Sequence, residues 1–105
     1  DQGWTPLAIA ASGGHVEVVR ILCDAGADKA GRSSSGATPL FLAVNSGHTD
    51  VARYLSEAGA DLDEGLAVGL TPLHSAVLAG RAELVQLLCE GKADVGRARR
   101  WDGKT

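Results

Sequence analysis

The chain has 105 residues, 45% of them hydrophobic and only 4% aromatic, with a formal net charge of −3. No stretch approaches the roughly 20 consecutive apolar residues that a membrane-crossing helix needs. Residues 1–90 carry 5 basic and 11 acidic side chains, a balance that repels polyanions along most of the chain.

Taken in order, the first structured signal is Thr5-Pro6-Leu7. The residue before a proline avoids helical backbone angles, whereas proline is preorganised for the first helical position. Thr5 therefore stands at a helix start, its hydroxyl able to accept from a free amide of the first turn. A short Ala-rich helix is predicted to follow and to end at Gly14, because glycine enters the turn conformation without steric cost. A second helix is predicted next, with Val18, Ile21 and Leu22 on one face and Val19 widening the stripe. Gly26 terminates it as a left-handed cap.

The same plan then recurs. Thr38-Pro39-Leu40 and Thr71-Pro72-Leu73 repeat the first motif at a constant interval of 33 residues. Gly47 and Gly80 match Gly14, Gly59 matches Gly26, and the apolar triplets Val51, Tyr54, Leu55 and Leu84, Leu87, Leu88 match the first. In the third unit Lys92 stands at the position of Gly26 and Gly59, with Gly91 one place earlier, so the third second-helix is expected to end one residue sooner. A fixed period of this size indicates a stack of helical supersecondary units rather than one continuous core. The units span residues 5–37, 38–70 and 71–104, with partial units at 1–4 and at 105. The sequence reads as one array over 1–105 excised from a longer one. Both ends carry interior-type apolar residues: Leu7, Ile9, Val18 and Leu22 at one, Leu73, Val77, Leu84 and Leu88 at the other. Such ends are expected to be adhesive, since solenoids need polar terminal units for solubility.

These residues resemble the ankyrin repeat, whose period is 33 and whose signature is T-P-L-H-x-A. Thr71-Pro72-Leu73-His74-Ser75-Ala76 matches it in full. Gly14-His15, Gly47-His48 and the Ala-Asp pairs at 27–28, 60–61 and 93–94 also follow the family pattern. The resemblance covers essentially the whole chain and implies an all-α, ankyrin-type helix–turn–helix solenoid with hairpin-like loops between repeats. Its motif histidine, which in the family forms hydrogen bonds within and between repeats, occurs here only as His74, with Ala8 and Phe41 in its place.

Residues able to do chemistry are scarce. His15 and His48 each follow a turn glycine, and a local helix-start interaction accounts for both. Cys23 and Cys89 occupy equivalent positions two units apart. Stacked helices lie about 8–10 Å from one another, which puts the sulfurs roughly 20 Å apart, beyond the ~7 Å reach of a disulfide. They read as core or half-core thiols of a reducing, intracellular compartment, cytoplasmic or nuclear. No zinc-ligand spacing or phosphate-binding loop is present. Asp28, Asp61 and Asp94 recur in every unit, the mark of scaffolding rather than catalysis. The expectation is a non-enzyme with no catalytic residue, metal or cofactor.

The resemblance implies protein–protein interaction, through hairpin tips before each Thr-Pro and through exposed ends of the first helices on the concave face. Mapped onto this chain, the candidate contacts are Trp4, Asn45, Ser46, Leu66, Val68, Leu70, Leu78 and Trp101. The loop Gly65–Leu70 is unusually apolar, a property that marks protein contacts, and tryptophan is favoured at interface hot spots. The partner implied is a protein, with flanking repeats or domains of a parent chain beside it. Two alternatives accompany this reading. One is a passive spacer in a larger protein. The other is weak single-stranded nucleic-acid binding through the basic cluster Lys92, Arg97, Arg99, Arg100 and Lys104, which surrounds Trp101.

Overall fold

A computed structural model describes residues 4–29, 31, 36–63 and 69–91. Each Thr-Pro opens a helix. α1 spans Pro6–Gly13, α3 Pro39–Ser46 and α5 Pro72–Leu78, and each is followed by a longer helix: α2 Val16–Asp24, α4 Thr49–Glu57 and α6 Ala82–Glu90. Among the described residues there are six helices and no strand.

The helix starts follow from the threonines. Thr5 Oγ1 accepts from the Ala8 amide at 3.1 Å and Thr38 Oγ1 from the Phe41 amide at 3.2 Å. Thr71 Oγ1 accepts from the His74 amide at 3.3 Å, and His74 Nδ1 accepts in return from the Thr71 amide at 3.0 Å, closing a reciprocal capping box. At the other end of the first helices, Gly14 and Gly47 take φ values of 78° and 82°, left-handed angles that cost side-chain-bearing residues free energy. Their amides bond back to carbonyls in the last turn.

The first helices lie side by side in one row, α1 against α3 and α3 against α5. The second helices form another row, α2 against α4 and α4 against α6. The core runs between the rows. Leu7, Leu40 and Leu73 supply it from the first helices, and Val19, Val51, Leu55, Leu84 and Leu88 from the second. Full burial of one such side chain is worth about 1.5–3 kcal/mol. Alanines at equivalent positions, Ala10, Ala43 and Ala76, allow the helices to approach closely. A smaller cluster of Ala8, Ala37, Phe41 and Leu42, flanked by Trp4 and Leu70, lies at the hairpin side.

Three expectations change. α6 does not end early: α2, α4 and α6 each have 9 residues, and Gly91 caps α6 at φ −80°, close to Ala25 and Ala58 at −81°. The Gly91 position is an ordinary right-handed one, so a glycine there has no power to stop the helix sooner. Lys92 lies outside the described residues. Cys89 is exposed rather than core, while Cys23 is half-buried. Finally, Leu7, Leu73, Leu84 and Leu88 are buried within the stack and do not belong to its end faces.

Candidate functional site

The row of first helices aligns three helix ends whose residues differ from unit to unit. Ser12 is half-buried, Asn45 and Ser46 are exposed, and Leu78 is 68% exposed. These side chains sit at fixed spacing because the helices beneath them are locked together by the core. Ser75 Oγ donates to Asn45 Oδ1 at 3.1 Å, which ties α5 to α3 and orients the Asn45 carboxamide. The surface thus combines an amide and a hydroxyl with one large apolar side chain.

The turn edge beside these ends is held by contacts that cross from unit to unit. His48 Nε2 donates to the Ser12 carbonyl at 2.9 Å. The His48 ring also lies so close over Gly14 that a Cβ there would fall 2.6 Å from it, and the Arg81 guanidinium lies over Gly47 at 2.5 Å by the same measure. A local role for His48 at its own helix start is therefore replaced by a cross-unit one, since His15 and His48 form no side-chain cap bond. The recurring Gly-His pair was the sequence signal, but its partner glycine belongs to the preceding unit.

The remaining candidates divide. Trp4 and Leu70 are half-buried and pack against the Ala8, Ala37, Phe41 and Leu42 cluster, so much of their apolar surface is already covered. Leu66, Val68 and Trp101 lie outside the described residues, as does the basic cluster from Lys92 to Lys104.

On the second-helix side, Arg20 lies 5.7 Å from the centre of the Tyr54 ring and 3.6 Å from Glu17. Burial, followed by the nearby charge of Asp24, raises the Tyr54 pKa, with Arg20 opposing. Burial also raises the Cys23 pKa, and Lys29 partly offsets it.

A groove of about 430 Å³ separates the loops at 27–29 and 59–61 above Thr38 and Leu40. Asp61 Oδ1 accepts from the Asp63 amide at 2.9 Å there, a turn-stabilising bond that fits the scaffolding role expected of the recurring aspartates. No group of three or more His, Cys, Asp or Glu among the described residues could hold a metal ion. No helix among them is long and apolar enough to cross a membrane.

The family model for ankyrin repeats, built of three copies, matches residues 1–65 and again residues 33–99. The chain belongs to the ankyrin repeat family. The Thr-Pro caps and left-handed glycines of this ankyrin chain shape each helix pair, and the apolar core between the rows joins the pairs into a stack. No curated protein matches the chain. Ankyrin repeats are generally protein–protein interaction modules and typically non-enzymatic scaffolds.

Proposed function

We propose that this ankyrin array captures a partner protein on the exposed ends of its first helices, centred on Asn45, Ser46 and Leu78. The observation that carries the reading is the pairing of a large, exposed leucine with an amide pinned by Ser75 on the neighbouring helix. An apolar anchor beside an oriented polar group supplies both contact area and direction. Leu66, Val68 and Trp101 extend the proposed surface by their sequence positions, with Trp4 and Leu70 at its rim.

The test is site-specific photo-crosslinking in cell extract, with the photoreactive residue at position 46 or, as a control on the second-helix side, at position 53. The expected result is one protein crosslinked from position 46, absent from position 53, and lost when unlabelled chain is added in excess. Identical crosslinks from both positions would favour a spacer that recognises nothing.

A further inference from the structure

At the end of α3, one hydrogen bond decides which half of an amide is offered to solvent. Ser75 Oγ donates to Asn45 Oδ1 at 3.1 Å. A carboxamide has one acceptor oxygen and one NH2 group. With the oxygen engaged by α5, the exposed Asn45 is left to offer its pair of N–H donors.

Two residues on, Gly47 lies under the Arg81 guanidinium of the following unit, where a Cβ would fall 2.5 Å from Nη1. His48 holds the equivalent place over Gly14 and spends its Nε2 on the Ser12 carbonyl. Arg81 is exposed, and among the described residues it makes no hydrogen bond and no ion pair. The acidic groups on the adjoining helix starts are Asp50 and Glu83. Neither pairs with Arg81, and Asp50 Oδ1 accepts from the Val51 amide at 2.7 Å. Leu78, 68% exposed, closes α5 three positions before Arg81. This is not an end face. Arg81 rests on the preceding unit, and Asn45, the equivalent of Leu78 with a unit on either side, is exposed as well.

We propose that this surface reads a carboxylate. The partner segment carries an Asp or Glu side chain that pairs with Arg81, next to an apolar residue that covers Leu78. The inference rests on the docking reading above and adds the chemistry of the partner. A guanidinium matches the two oxygens of a carboxylate with two parallel N–H bonds, and the Asn45 N–H groups at the same helix end add further donors. A lysine or arginine of the partner would meet Arg81 as a like charge and find Asn45 Oδ1 already engaged. The surplus of acidic side chains over residues 1–90 opposes a polyanion, so a single carboxylate in an otherwise uncharged segment fits best.

The test is selection on the immobilised chain from random peptides displayed on phage. The peptides are joined through their C-termini, so that only side chains supply carboxylates. Wild type is expected to enrich Asp or Glu beside a large apolar residue. Arg81→Gln is expected to weaken a selected peptide on the order of tenfold to a hundredfold, read by fluorescence polarisation. Arg81→Lys keeps the charge without the fork and is expected to fall between. Asn45→Asp keeps an oxygen for Ser75 but turns the outward donors into an acceptor, and is expected to weaken the same peptide. Arg53→Gln, on the second-helix side, is expected to change nothing, and circular dichroism checks that every variant keeps its helices. The peptide with its acid replaced by the amide (Asp→Asn or Glu→Gln) is expected to bind wild type and Arg81→Gln alike, the sign of direct pairing. Selected peptides without Asp or Glu overturn the proposal, as does an acidic peptide that binds Arg81→Gln as tightly as wild type. Crosslinking from position 46 that is undiminished in Arg81→Gln also overturns it and leaves the docking reading standing. Absence of that crosslink in the wild-type chain overturns both.

Discussion

His48 of the second unit donates from Nε2 to the carbonyl of Ser12 in the first, 36 positions earlier in the chain. The bond satisfies an acceptor at the end of α1 and seats the ring over Gly14. His48→Ala removes both contacts. Losing a part-buried partner costs about 1–3 kcal/mol, and the urea midpoint is expected to fall accordingly. His15→Ala makes a useful comparison, since His15 has no preceding unit in the structure to reach. Its midpoint is expected to shift less.

Gly14 is constrained twice, by its φ of 78° and by the His48 ring. Gly14→Ala is expected to destabilise by at least the roughly 1–2 kcal/mol of a left-handed alanine, read by thermal unfolding. Combined with His48→Ala, the steric part of the loss is relieved and the two effects sum to less than their separate values. Full additivity would show that the ring yields without cost.

The capping box of the third unit gives a separate prediction. His74→Ala removes the acceptor of the Thr71 amide, and a stability loss of about 0.5–1.5 kcal/mol is expected in chemical denaturation. Thr71→Ala removes the other half and should cost about 1 kcal/mol. An unchanged midpoint for both would mean that solvent replaces the box without penalty.

The two thiols should differ in reactivity. Cys89 is exposed, whereas Cys23 is half-buried with its pKa raised by burial. A raised pKa lowers the thiolate fraction at any pH below it, and the thiolate is the nucleophile. Alkylation followed by mass spectrometry is expected to label Cys89 first, with Cys23 catching up as pH rises. Equal rates at neutral pH would contradict the burial of Cys23.

Leu78→Asp tests the proposed binding surface. The side chain is 68% exposed, so the fold is expected to keep its melting temperature. Crosslinking from position 46 is expected to drop by roughly thirtyfold or more, as for a truncated hot spot. Undiminished crosslinking would shift the contact to the hairpin residues.

Much of this architecture was legible in the chain itself. Thr5, Thr38 and Thr71 announced three helix starts, Gly14 and Gly47 two stops, and the triplets at 51, 54, 55 and 84, 87, 88 the inward side of α4 and α6, whereas in α2 Val19 is buried and Val18 and Ile21 of the triplet are exposed. Such signals act within one unit, where sequence neighbours are also spatial neighbours. Contacts between units were harder to read. The seat of His48 over Gly14 depends on how two helical pairs lie against each other, and periodicity alone does not contain that offset. For the same reason the terminal apolar residues were only partly sorted. Leu7 and Leu84 face inward within the stack, while Ile9 and Ile21 face outward, although all four are equally hydrophobic. At the proposed site, the exposure of Asn45 and Leu78 followed from the resemblance, but the Ser75 bond that orients Asn45 did not.

The His48–Ser12 bond also sets an order of events during synthesis. When α1 and α2 first leave the ribosome, the turn after α1 lacks its closing ring, because the residue that supplies it has yet to be added. Gly47 waits in turn for Arg81. The turns at Gly14 and Gly47 are thus covered by residues that translation supplies only with the following unit.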